Sequence, residues 1–184
     1  MLLRNVTMAE LARMYKRNRR RSPAPYLIDP KNIRSARNLA KKNGQWNDLD
    51  KNLNTSLDIP IVKRSAYRNF QRVGDRIVPQ AANGYRRREL SRAFIALWLD
   101  HPKANIDYLQ DLMWAYCDQH TWVMAAHEGR EIDLGSAAIT ATLAEIIHVV
   151  GDRLEDEVVE RVSSEIDRRT FQVFSEYQHL DGWE

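Results

Sequence analysis

The sequence predicts an all-α fold built from antiparallel helical hairpins, and three observations predict it. Leu90, Ala93, Phe94, Leu97 and Trp98 recur at i, i+3, i+4, i+7 and i+8, the apolar stripe of an amphipathic helix. Ser136 to Val150 is apolar nearly all round. Leu154, Val158, Val162, Ile166, Val173 and Tyr177 fall on one side of a stretch running from about Arg153 to Tyr177.

Taken in order, residues 1–30 read as a basic, proline-containing lead-in. Met8 to Arg20 fits a short helix, and Pro23, Pro25 and Pro30 make Ser22 to Pro30 an extended connector. Residues 31–184 read as one helical domain. Ile33, Leu39, Trp46, Leu49 and Leu53 are widely spaced and fit two short helices around Gly44. Residues 57–82, with Pro60 and Pro79, are expected to be irregular, with at most a short helix at Ala66 to Val73. The Leu90 helix should end at Pro102. Asn105 can cap the next helix, with Ile106, Leu109, Met113 and Tyr116 on one side.

Residues 118–133 are expected as a polar and aromatic loop. The helix from Ser136 lacks a polar face and should be buried on several sides. Gly151 is expected to stop it, and Asp152 with Glu155 has the spacing of a capping box for the last helix, roughly 35 Å long. Arrays of helix pairs and toroids are built this way. A four-helix bundle is the alternative.

Apolar residues make up 43% of the chain and charged residues 29%, a globular composition. No apolar run approaches the ~18–20 residues of a membrane span, and MLLRNVTMAELARMYK carries no continuous apolar leader. The single Cys117 excludes an internal disulfide and fits a reducing compartment. A cytoplasmic location without membrane contact is therefore expected, with a secreted or periplasmic one left open. Net charge is only +3, but it is clustered: KRNRRR at 16–21, Arg86 to Arg88, and Arg64, Arg68, Arg72 and Arg76 at every fourth position. Such clusters attract polyanions without saying which, and a plainly solvated face is the competing reading.

Helix parity suggests where a site would lie. The tight turns at His101 to Asn105 and Gly151 to Asp152 fall on one end of an antiparallel set. Lys63 to Ala82, Asp118 to Asp133 and the chain end from Gln178 fall on the other. Long segments gathered at one end of a rigid scaffold commonly carry function. These hold the substrate-binding candidates Arg64, Tyr67, Arg68, His120, Trp122 and His127, together with Arg72, Glu128, His179 and Trp183. Guanidinium groups suit carboxylate or sulfate, and aromatic rings offer flat apolar faces to sugars. Against this, Trp122 and Trp183 also fit loop anchors packed on the core, His127 fits a satisfied structural histidine, and the arginine series fits tethers to carbonyls.

Several ordered segments carry a resemblance. YCDQHTWVMAAHEG (116–129), IDLGSAAITATLAEIIHVVGDRL (132–154), EVVERVSSEIDRRTFQVF (157–174) and KRSAYRNFQRVGDR (63–76) make residues 30–184 similar to the heparinase II/III-like family. The resemblance implies the N-terminal part of an incomplete (α/α) toroid from a polysaccharide lyase. Such enzymes cleave uronate-containing polysaccharides by β-elimination: the carboxylate is neutralised, a base removes the C5 proton, and an acid protonates the leaving oxygen. The family's Asn-rich catalytic stretch is expected beyond Glu184. No catalytic Asn, His or Tyr is therefore carried onto this sequence, and the chain is expected to be inactive alone.

A non-catalytic helical binding scaffold is the alternative. The uncovered inner helix faces of a partial toroid would favour self-association. Glu145 and His148 have the Glu-x-x-His spacing of di-iron bundles, but one copy among apolar neighbours reads as a buried hydrogen-bonded pair. Cys117 near His120 reads as core packing. No metal, no cofactor and no nucleic-acid partner are expected, since phosphate-loop, zincin, recognition-helix and RNA-binding signatures are missing from the sequence.

Overall fold

A computed structural model describes residues 32–53, 56–130 and 132–176, and among them every regular element is helical, with no strand. The lead-in helix and connector expected before residue 31, and Tyr177, His179 and Trp183, lie outside the described residues. Gly44, at φ 77°, lets α1 (Ile33–Lys42) turn directly into α2 (Gln45–Asn52), because a residue without Cβ enters the left-handed region at little cost. Ala40 and Leu49 then close a small cluster under Leu99.

The main core is assembled from four longer helices. It joins Leu90, Phe94 and Leu97 of α5 (Ile77–Trp98) to Leu109, Leu112, Met113 and Tyr116 of α6 (Ile106–Cys117). Leu143, Ile146 and Val150 of α7 (Leu134–Val150) and Val158, Val162 and Ile166 of α8 (Asp156–Ile166) complete it. Each such side chain contributes about 1.5–3 kcal/mol on burial, far above the tenths that separate helix propensities, so packing rather than propensity holds the set together.

Several expectations are corrected. Residues 57–63 are irregular as expected, but the rest of the segment before Ala82 is more helical than the one short helix expected at Ala66 to Val73. It contains α3 (Arg64–Tyr67), α4 (Asn69–Val73) and the beginning of α5. Pro79 is tolerated there because the first-turn N–H groups have no intrahelical acceptor to lose. The helix ends before Pro102, with Asp100 left-handed at φ 49°. Asn105 does cap α6, accepting from the Tyr108 N–H at 2.9 Å.

Gly151 has φ −60° and enters a 3-10 turn, Gly151–Arg153, instead of a left-handed stop. The capping box expected at Asp152 and Glu155 does not form. Gln110 Oε1 accepts from the Glu155 N–H at 2.7 Å, and α8 starts after it. The last rod is interrupted by a π turn, Asp167–Phe171, before α9 (Gln172–Glu176).

The helix α7 is not buried on several sides. Leu134, Ala137, Ala141, Ala144 and His148 are exposed, and Glu145 is half-buried, so the expected buried Glu145–His148 pair is absent. Leu134–Arg153 is also long and apolar enough, by length and composition, to cross a membrane, contrary to the expectation that no run reaches that size. Its inward face carries core residues, as a packed helix of a folded domain does.

The polarity of the array follows from long-range bonds. Arg153 Nη1 donates to Leu97 O at 2.7 Å and meets Asp100 at 3.1 Å, tying the two tight turns together. At the opposite end, Gln71 Nε2 donates to Ala125 O at 2.6 Å and Arg68 pairs with Glu128, tying the two long segments together.

Candidate functional site

The loop from Asp118 to Asp133 is held from both ends. Trp122 is 3% exposed, and its indole N–H donates to Tyr116 O at 2.9 Å. Arg169, carried on the π turn, lies over the Trp122 ring and donates to Gln119 O and Cys117 O. The bulge in the last helix thus aims a guanidinium at loop carbonyls that a regular helix would present differently. A buried contact between the Thr140 and Thr170 hydroxyls, at 2.7 Å, fixes that bulge against α7.

Asp133 organises the other end. One carboxylate oxygen accepts from the Ser136 N–H at 2.9 Å and the other from the Met124 N–H at 3.0 Å, while the Ser136 hydroxyl receives the Asp133 N–H at 2.8 Å. Asp133 and Ser136 thus form a capping box. His127 Nδ1 lies 2.9 Å from the second oxygen. Burial opposes ionisation of Asp133, yet the Ser136 and Met124 N–H groups and His127 outweigh it and hold the carboxyl below its ordinary value.

Gly135 permits the closeness of loop and helix. A Cβ there would lie 2.8 Å from Met124 Cγ and 3.2 Å from Trp122 O. No sequence reading singled out Asp133 or Gly135. The available signal was Asp133-x-x-Ser136 directly before an apolar run.

Between this loop and the chain entering α3 lies a cavity of about 630 Å³. Ile59, Ile61 and Val62 supply apolar wall, and Arg64, Tyr67, Arg68, Asp118, His120 and Glu128 supply polar groups. Four of the six candidate residues, Arg64, Tyr67, Arg68 and His120, therefore meet in one place. Trp122 does not join them: as a buried anchor it offers no open face for a sugar to stack on. His127 is not among the lining residues of this cavity; its ring braces the loop through Asp133.

Arg86 forms the cavity's inner limit and is 4% exposed. Its Nε donates to Pro60 O at 2.6 Å, and its Nη1 to Ala115 O and Gln119 Oε1. Its cation also lies over Tyr116. Burial lowers the Arg86 pKa and raises that of Tyr116 to about 12. Arg86 is a strut, with its donors directed at protein acceptors.

Glu128 accepts from Arg68 Nη1 at 2.6 Å, and Asp118 pairs with Arg161, so both carboxylates of the cavity are occupied. Arg64 is exposed and makes no ion pair among the described residues. Arg64 is therefore the exposed guanidinium of the cavity without an acidic partner among the described residues, while the buried Arg86 is held by neutral acceptors. Burial, followed by the nearby Glu128 charge, raises the Tyr67 pKa, which keeps its hydroxyl protonated as a hydrogen-bond donor.

Cys117 is buried, and burial lifts its thiol to about 11, so it packs as an inert side chain. Among the described residues no group of three or more His, Cys, Asp or Glu is placed to hold a metal. No family model matches the chain, and no curated protein matches it.

Proposed function

We propose that the cavity binds an acidic, uronate-containing polysaccharide, and that the chain forms the N-terminal part of a heparinase II/III-like (α/α) toroid. The observation that carries this reading is the convergence of Arg64, the Arg68–Glu128 pair, Tyr67 and His120 on one cavity with an apolar wall. The Arg64 guanidinium, without an acidic partner among the described residues, suits a carboxylate or sulfate through paired N–H bonds. The Tyr67 hydroxyl supplies a neutral donor, and Ile59, Ile61 and Val62 suit the apolar face of a sugar ring.

The toroid reading is supported by long helices that alternate in direction, with tight turns at one end and the site loops at the other. No catalytic residue is assigned, so binding without elimination is expected of the chain by itself. Calorimetric titration with heparin, hyaluronan, chondroitin and alginate oligosaccharides tests the reading. At least one should bind, and Arg64→Gln should weaken it by about tenfold, the loss of one charge-assisted contact. Identical affinities for wild type and variant across the panel would refute the assignment of the cavity.

A non-catalytic interaction scaffold is the second reading. It is favoured by the exposed Leu134, Ala137, Ala141 and Ala144 on α7.

A further inference from the structure

A second cavity, of about 270 Å³, lies across α5 from the first. Its floor is apolar: Pro79, Trp122, Met124, Ala125 and Ile139 line it. Its cationic groups are Arg76 and Arg87, and Gln80 and Asn83 add amides. Among the described residues no Asp or Glu lines it. Arg76 and Arg87 are exposed, and neither has an acidic partner among the described residues. Arg76 lies over the Phe70 ring, 5.4 Å from its centroid, which holds its side chain against α4 and not against an acid.

The placement is helical in origin. Arg76, Gln80, Asn83 and Arg87 stand at i, i+4, i+7 and i+11, one stripe along about 16 Å of α5 and its N-cap. Arg86, one residue before Arg87, is turned into the first cavity, so the Arg86–Arg87 pair places one guanidinium on each side of the same ridge. Gln119, which lines the first cavity, donates from Nε2 to Asn83 Oδ1 in the second at 3.5 Å.

We propose that the second cavity is a separate anion subsite that takes the carboxylate or sulfate of a further acidic sugar, so that one glycan chain spans the α5 ridge. The inference rests on the reading of the first cavity as a glycan site. Two guanidiniums without an acidic partner among the described residues, over an apolar floor, match a ring that bears an anionic group on its edge. A nucleic acid is the less favoured polyanion, because the aromatic on the floor, Trp122, is buried and leaves no open platform for base stacking.

The test compares wild type, Arg64→Gln and the double variant Arg76→Gln/Arg87→Gln in titrations with a uronate disaccharide and the hexasaccharide of the same polymer. Thermal melts of each protein confirm folding, which exposed arginines should not disturb. Wild type is expected to bind the hexasaccharide more tightly than the disaccharide. The double variant should lose about tenfold or more for the hexasaccharide and little for the disaccharide.

Equal hexasaccharide affinity in wild type and double variant, with Arg64→Gln still weakened, would overturn the second subsite and leave the first cavity standing. Absence of binding at either length would remove both. A single-stranded DNA of matched charge that binds as tightly as the hexasaccharide, and loses as much in the double variant, would overturn the glycan assignment in favour of a general polyanion site.

Discussion

Replacing Asp133 by alanine tests how the site loop is held. The side chain accepts from two backbone N–H groups, Ser136 and Met124, and braces His127. Loss of an N-cap acceptor costs about 1 kcal/mol. Leaving the Met124 N–H without its partner in a half-buried position costs about 1 kcal/mol more. The contact with His127 adds up to about 1 kcal/mol, discounted because the imidazole is 26% exposed. The sum is about 2–3 kcal/mol for Asp133→Ala.

Asp133→Asn keeps one carbonyl oxygen for Ser136 but turns an amide N–H₂ toward Met124 and His127, so about half that loss is expected. Urea denaturation followed by far-ultraviolet circular dichroism reads both, with the slope unchanged and only the midpoint moved. A loss under about 1 kcal/mol for the alanine variant would refute the view that this carboxylate is the junction of loop and helix. The pH dependence has a matching sign. The Asp133 pKa is lowered on folding, so its contribution is present above the ordinary carboxylate value and is lost as pH falls through the lowered folded value.

Further outcomes follow from the same structure. Gly135→Ala should destabilise by about 1–3 kcal/mol, since its Cβ would meet Met124 Cγ and Trp122 O inside contact distance; an unchanged urea midpoint would show that the loop shifts freely. His101 is buried against Trp46, its Nδ1 accepts from the Lys103 N–H, and its Nε2 has no hydrogen-bond partner; burial lowers its pKa, with Asp50 opposing and Lys103 assisting. The unfolded chain therefore binds the proton more readily than the folded one. Stability should fall as pH drops below the ordinary histidine value of 6.5 toward the lowered folded value, and His101→Gln should flatten that slope. A midpoint that rises on acidification over this range would contradict the assignment.

Much of the scaffold was legible in residue order. The stripe from Leu90 to Trp98, the cap at Asn105 and the break at Gly44 each state a local preference that packing did not override. The meeting of two long segments, Lys63 to Ala82 and Asp118 to Asp133, at one end was also legible, because antiparallel helices alternate their ends whatever their side chains do; the third, from Gln178, lies outside the described residues. Four candidate residues met on that basis alone: Arg64, Tyr67, Arg68 and His120.

What only the tertiary structure decided concerns partners distant in sequence. Trp122 became an anchor because the Tyr116 carbonyl and Arg169 enclose its ring. Arg86 became a strut because Pro60, Ala115 and Gln119 converge on it. Gly151 carried no left-handed turn, its N–H continuing to Ile147 O as the chain enters a 3-10 turn, and Gln110 on another helix took the place of the expected capping box by accepting from the Glu155 N–H. Periodicity in the sequence determines which side of a helix is apolar. It does not determine which loop carbonyl or carboxylate a buried cation or indole will meet, because that contact is chosen by the packing of the whole array.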